Sequence, residues 1–235
     1  MLDPSALSAR LDSVRDRIAR AAGRAGRDPA SIRLIAVSKT FSSEHIRAAA
    51  AAGQVDFGEN KVQEAQRKIA ELQDLPIRWH FIGHLQSNKA RKAGELFHVI
   101  HAIDDLRTIE AIDTGALAAG RRVDLLVQVD LAGEATKHGA TPGAVRAIVE
   151  TAQRCRAVTP VGLMLLPPAV EDPDQVRPYF QALRRLREEL LAQGVPAECL
   201  RELSMGMSHD FEVAVEEGAT MVRVGSAIFG ARTYA

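Results

Sequence analysis

The sequence predicts a single-domain (β/α)8 barrel spanning residues 1–235, and three observations carry that reading. Short β-rich runs alternate with helix-forming stretches along the chain, as they do when parallel strands are joined by right-handed crossovers. Eight such runs occur, which leaves about 29 residues per unit, close to the proportions of a barrel of roughly 250 residues. The competing doubly wound sheet normally shows a glycine-rich turn after its first strand. Here that turn reads Ser38-Lys39-Thr40.

The first element is a helix that opens on Asp3-Pro4, a cap followed by the residue best tolerated at the first helical position. Leu7, Leu11, Val14 and Ile18 form one apolar face, and Gly26 to Pro29 ends it. The strand candidates follow as Leu34–Lys39, Val55–Glu59, Arg78–Gly83, His98–Ile103, Asp124–Leu131, Val161–Leu166, Leu203–Met207 and Met221–Phe229. Between them, Ser43–Ala52, Asn60–Leu72, Asp105–Ala119 and Asp174–Gln193 are rich in the helix formers Ala, Glu, Arg and Leu. No long helix is expected after the eighth strand, because the sequence stops at Ala235. The N-terminal helix is expected to complete the outer ring in its place.

Thirty basic and thirty acidic residues cancel, so no global field attracts nucleic acid or an anionic membrane, and an anionic ligand needs a local site. The chain is 46% hydrophobic with few aromatics, which makes Leu, Ile, Val and Ala the core residues. Cys155 and Cys199 are too few for a disulfide framework or a four-cysteine zinc site and read as two reduced thiols. No apolar run reaches the roughly 18–20 residues of a membrane span. Asp3, Asp12 and Asp16 among the first arginines argue against a transit peptide. The expectation is a cytoplasmic protein.

Barrels carry their sites at the C-terminal strand ends, with phosphate commonly held after strands seven and eight. Alternation puts Ile35, Val37 and Lys39 on one face, so the Lys39 amine is expected at the top of the interior among aliphatic side chains. Partial desolvation would lower its pKa and suit it to condense with a carbonyl. Ser204-Met-Gly-Met-Ser208 precedes Asp210 and a helical stretch, whose N-terminal N–H groups suit an anion. In strand eight, Arg223 and Gly225 share a face, and Gly225-Ser226 offers backbone donors and a hydroxyl. An inward Arg223 needs a partner, either a ligand or a neighbouring carboxylate. Together these groups suggest a phosphorylated aldehyde.

The same residues, in this order, resemble the pyridoxal phosphate homeostasis protein family over some 200 residues. The landmarks are Ala36-Val-Ser-Lys-Thr40, Phe57-Gly-Glu-Asn60 with Gln63-Glu64, and Trp79-His-Phe-Ile-Gly83 with Leu85-Gln86 and Asn88-Lys89. Further on come Glu134 with Lys137-His-Gly139, Gly162-Leu-Met164, Leu203-Ser-Met-Gly-Met-Ser208 and Val222-Arg-Val-Gly-Ser226 with Ile228-Phe-Gly230. Lys61 stands where the family often has an aromatic residue, and Asp130 where asparagine is common. The resemblance implies a barrel related to the N-terminal domain of alanine racemase, with pyridoxal 5′-phosphate (PLP) bound as an imine to Lys39. It places Ser208, Gly225 and Ser226 around the phosphate, Arg223 at the pyridine nitrogen and Asn60 near the ring. It further implies a monomeric, non-catalytic carrier in vitamin B6 and amino-acid balance, whose partners beyond PLP would be PLP-requiring apo-enzymes.

Two rival readings follow from the same lysine. An amino-acid racemase needs a second proton-transfer group opposite it, and the tyrosines, Tyr179 and Tyr234, are poorly placed for that. A Schiff-base aldolase without PLP needs an acid–base partner, for which Glu59 is the obvious candidate. Other constellations carry less. Gly225 to Gly230 has P-loop spacing, but Ala231-Arg232 follows in place of Lys-Ser/Thr. The pairs His80/His84 and His98/His101 are not spaced for a shared metal, and consecutive Ser208-His209-Asp210 cannot form a triad by themselves. Lys89, Arg91 and Lys92 read as a solvated helix start, and Arg184-Arg185, Arg187 and Glu188-Glu189 as an exposed salt-bridged face.

Overall fold

The computed structural model describes residues 3–133 and 138–230. Helix α1 (Pro4–Arg24) starts where Asp3 accepts the Ser5 and Ala6 N–H groups at 3.0 and 3.1 Å, and it buries Leu7, Leu11, Val14 and Ile18. The chain then alternates through β1 (Arg33–Val37), α2 (Ser43–Ala51), β2 (Asp56–Glu59), α3 (Val62–Glu71), β3 (Arg78–Phe81) and α4 (Ser87–Leu96). It continues through β4 (Val99–Ile103), α5 (Leu106–Ala118), β5 (Val123–Gln128), α6 (Pro142–Gln153), β6 (Val158–Met164) and α7 (Arg177–Ala192). The last elements are β7 (Glu202–Met207), α8 (Phe211–Glu216), β8 (Met221–Val224) and α9 (Ser226–Phe229). The strands are parallel and close in sequence order, with β8 paired to β1.

Most boundaries shift by one to three residues from the sequence expectation: β1 ends at Val37 rather than Lys39, β5 at Gln128 rather than Leu131, and β6 runs Val158–Met164 rather than Val161–Leu166, because pairing with the neighbouring strands sets where each ends. Two changes alter the local structure. The eighth strand stops at Val224, because Gly225 (φ −118°, ψ −75°) bends the chain into the single turn of α9. The Asp174–Gln193 stretch begins as a 3₁₀ turn, Pro173–Val176, and becomes α-helical at Arg177. The N-terminal helix closes the outer ring as expected, packing on α2, α8 and α9. Arg17 pairs with Glu212 at 2.8 Å, and Arg10 Nε donates to the Ile228 carbonyl at 2.7 Å.

Strand alternation divides the molecule into two apolar layers. Outward residues such as Phe57, Trp79, Phe81, Ile100 and Leu203 pack under the helices, while Ile35, Val99, Leu126, Val161, Met164 and Met221 fill the barrel interior. The interior is not wholly apolar. At the N-terminal mouth, Arg33, Asp56, Arg78 and Glu202 form a charged plug with contacts of 3.7 to 4.0 Å. Above it lie His80, His101, Ser204 and Arg223, all buried. Cys155 and Cys199 are free thiols.

Three of the histidines confer acid sensitivity. Burial holds His80 and His101 below the ordinary imidazole range and pushes His98 down from 6.5 to about 4. The unfolded chain therefore binds more protons than the folded one in this interval, so stability rises with pH across it. The contribution of all three is complete above about 6.5; that of His98 is lost as the pH falls towards about 4, and those of His80 and His101 are lost in the same acid direction. Denaturant midpoints are expected to drop steadily between about pH 7 and 5; a flat profile would show that these rings are charged in the fold.

Candidate functional site

A cavity of about 540 Å³ opens at the C-terminal end of the barrel, within the range of small-ligand pockets. Its floor follows from alternation: Val37 and Gln128 end the inward rows of β1 and β5, and Ile82 and Leu166 extend those of β3 and β6 past the strand ends. All six residues singled out from the sequence, Lys39, Asn60, Ser208, Arg223, Gly225 and Ser226, line this one cavity. They come from loops after β1, β2, β7 and β8 and from β8 itself. At Gly83 an added Cβ would lie 2.5 Å from the Asn60 carbonyl oxygen, so the loops after β2 and β3 meet only because that residue is glycine.

Lys39 is half-buried in a tight turn. The Phe41 N–H donates to the Ser38 carbonyl at 3.1 Å, and Thr40 takes a positive φ of 72°, a strained conformation for a β-branched residue. A buried ionic brace holds that turn. Glu64 accepts the Thr40 N–H at 2.7 Å, while Lys68 donates to the Ser38 carbonyl at 2.8 Å, to Glu59 at 2.8 Å and to Glu64 at 2.7 Å. Ser38 Oγ adds a 2.6 Å bond to Glu59. Burial raises the Glu59 pKa despite Lys68. Burial also opposes ionisation of Glu64, but its bonds from Lys68 and Thr40 hold it below the ordinary range. Glu59 points away from the cavity, because alternation gives the inward place on β2 to Gly58. It serves the brace and does not face Lys39 as an acid–base partner.

Across the cavity, Ser208 Oγ accepts the Gly225 N–H at 3.0 Å, which leaves the hydroxyl proton to donate elsewhere. Gly225 is therefore not a vacant donor; it aims Ser208. Its Cβ position lies 3.3 Å from Val37, so a side chain there would crowd the floor. The Ser208 turn is itself held by Asp210, which accepts the Met207 N–H at 2.6 Å. Helices α8 and α9 are short, and the N–H groups of Ser226 and Ala227 precede the first intrahelical bond of α9. Arg223 donates to Ser204 Oγ at 2.6 Å and to the Leu165 carbonyl at 2.9 Å. Among the described residues it makes no ion pair with a carboxylate. Burial pushes its pKa down to about 10, so it stays charged at neutral pH.

Lys68 under the Lys39 turn and Gln128 on the cavity wall are not picked out by the sequence, and Glu64, His84, His138 and His209, which it does pick out, carry no supporting role in that reading. Their signal is weak, since only the fold brings them to the site. His84 and His138 lie together with Asp104, close enough to suggest a cation. Their rings are stacked, however, with centroids 3.5 Å apart and planes at 12°, so their in-plane lone pairs run parallel and do not converge on one ion. His209 Nε2 lies 2.8 Å from the Glu171 carbonyl, which takes it out of any triad with Ser208. Asp130 accepts the Ala132 and Gly133 N–H groups at 3.0 and 2.9 Å, which needs only the acceptor oxygen that asparagine shares. Lys61 is an exposed residue at the start of α3. Tyr179 lies on α7, packed against the outer core away from the cavity. Glu134, Lys137, Ala231, Arg232 and Tyr234 lie outside the described residues.

This chain, a closed parallel barrel with a turn lysine after β1 and an inward arginine on β8, belongs to the class described as "Alanine racemase, N-terminal domain", whose family model matches residues 9–233. Within that class, the chain belongs to the family of the pyridoxal phosphate homeostasis proteins. It is 43% identical to the member from Aquifex aeolicus, covering 96% of this chain and 98% of that one. It is 44% identical to the member from Pseudomonas aeruginosa, covering 98% and 97%. The solved structure of PipY from Synechococcus elongatus with PLP bound superimposes with a TM-score of 0.83 at 43% identity, over 95% of this chain and all of that one. An alanine racemase from Clostridium difficile shares 15% identity at a TM-score of 0.71, and this chain covers 58% of it. That likeness is one of fold alone.

Proposed function

We propose that this protein binds PLP as an imine on Lys39 and acts in intracellular PLP and amino-acid balance as a carrier, without catalytic turnover. The observation that carries the reading is the charged, buried Arg223 at the cavity, with no carboxylate paired to it among the described residues. A pyridine nitrogen supplies the lone pair such a donor can meet, and Ser208, Gly225 and Ser226 provide the setting for a phosphate at the same end of the cavity. Asn60, held against Gly83, would border the ring. Condensation joins the Lys39 nitrogen to the aldehyde carbon and releases one water. When bound, PLP supplies an electron-withdrawing ring.

The residues of this chain restrain that chemistry. Arg223 keeps its proton, so a ring nitrogen against it stays unprotonated and is a weaker electron sink. Among the described residues no tyrosine lines the cavity to serve opposite the lysine. PLP-requiring apo-enzymes are the partners this role implies. A monomer fits the scattered exposed apolar residues Val55, Leu106, Leu117 and Leu191. No helix among the described residues is long and apolar enough to cross a membrane, and the B6 role points to the cytoplasm.

Absorbance spectra of PLP-loaded protein before and after borohydride, followed by peptide mapping, test the reading. The visible band is expected to bleach and leave a pyridoxyl adduct on the Lys39 peptide. An unmodified Lys39, or an adduct elsewhere, rules it out. Racemization of L- or D-amino acids at ordinary enzymatic rates would overturn the non-catalytic assignment.

A further inference from the structure

A hydrogen-bonded chain runs through the barrel core from the cavity to the opposite mouth. Arg223 Nη1 lies 2.6 Å from Ser204 Oγ, and Ser204 Oγ lies 2.8 Å from His101 Nδ1. His101 Nε2 lies 2.9 Å from His80 Nδ1, and His80 Nε2 lies 2.8 Å from Asp56 Oδ1 in the charged plug. The middle members, His80, His101 and Ser204, are fully buried. They occupy inward positions on β3, β4 and β7, which alternation would ordinarily fill with aliphatic side chains.

The donor inventory sets the direction of every proton. Arginine only donates, so Ser204 Oγ accepts from it and gives its one proton to His101 Nδ1. A neutral His101 then carries its proton on Nε2 and donates to His80 Nδ1. His80 in turn carries its proton on Nε2 and donates to the Asp56 carboxylate. Charging His80 would reverse the middle links, leave the Ser204 proton facing arginine with no acceptor, and bury a cation. Burial opposes that charge on both rings.

We propose that Ser204, His101 and His80 are positioning residues that lock Arg223 against the cofactor ring through this one-way chain, which ends on Asp56. The inference rests on the PLP reading above. Ser204 pins Nη1 and the Leu165 carbonyl pins Nη2, so the remaining guanidinium edge is what faces the ligand. Without the serine hydroxyl, the nearest pull on Arg223 comes from Asp210, the carboxylate that acts on its charge.

Two measurements on the full-length protein test this. In ¹⁵N-histidine spectra without PLP, His80 and His101 are expected to be neutral with the proton on Nε2 at neutral pH. Either ring protonated, or carrying its proton on Nδ1, would overturn the chain. In PLP-loaded protein, Ser204→Ala is expected to weaken binding roughly tenfold, the loss of one charge-assisted hydrogen bond, and to move the imine absorption maximum. Ser204→Thr, which restores the hydroxyl, should return both, with melting curves confirming that each variant folds. Binding within about twofold of the parent and an unmoved band in Ser204→Ala, or no recovery with threonine, would sink the positioning role. If the parent protein forms no imine, the PLP reading itself fails and the positioning role falls with it, while the tautomers still decide whether the chain exists.

Discussion

Replacing Lys39 by alanine is expected to abolish the visible imine band and the borohydride-fixed adduct altogether, while changing stability by no more than about 1 kcal/mol. The asymmetry follows from the position. Lys39 is half-buried at the tip of a turn, so its side chain contributes little to packing. The backbone of that turn is held from below by Glu64 and Lys68, which the substitution leaves in place. Circular dichroism and a melting curve of Lys39→Ala should therefore match the parent protein. A variant that still yields a reducible PLP adduct would move the imine to another lysine and overturn the assignment.

Replacing Lys68 by methionine is expected to cost about 3–5 kcal/mol, because it strands the fully buried Glu59 carboxylate without its cation. One Glu59 oxygen already lacks a hydrogen-bond partner, so the site has no spare donor to absorb the loss. The variant should also change its pH dependence. With Lys68 gone, the Glu59 pKa, already raised by burial, rises further above its value in the unfolded chain. The folded state then binds the extra proton, so stability is complete below the unfolded carboxyl pKa of about 4.3 and is lost as the pH rises towards the folded value. Urea melts at several pH values read this directly. A loss under about 1 kcal/mol, or a pH-independent one, would show that the pair is not the brace described. PLP affinity should fall too, since Lys68 also holds the Ser38 carbonyl at the base of the Lys39 turn.

The elements and five of the cavity residues, Lys39, Ser208, Arg223, Gly225 and Ser226, are legible in local pattern, whereas Asn60 is legible only through the family resemblance. Asp3-Pro4 announces a helix start, alternation on β1 carries Lys39 to the rim, and alternation on β8 turns Arg223 inward while Val222 and Val224 face the helices. The eighth strand was overrun because Ser226 to Phe229 is apolar enough to read as strand, whereas the bend at Gly225 depends on its contact with Val37 and Ser208. Glu59 is the obvious acid–base candidate for the aldolase reading because it ends the strand next to the one that carries Lys39. The pleat sends it instead to the helix side, where Lys68, nine residues later, meets it across α3.

Composition and period were enough to specify a neutral barrel, its strand count, its closing helix and the rim carrying a lysine and an arginine, because those properties are set by neighbours along the chain. Tertiary structure alone decided which distant groups hold the lysine and the arginine in place. Arg223 reaches Asp56 through residues 80, 101 and 204, and Thr40 is held in a strained turn by residue 64. Side chains so far apart in sequence share no local pattern. Their hydrogen bonds exist only once barrel closure has put five strands around one buried column.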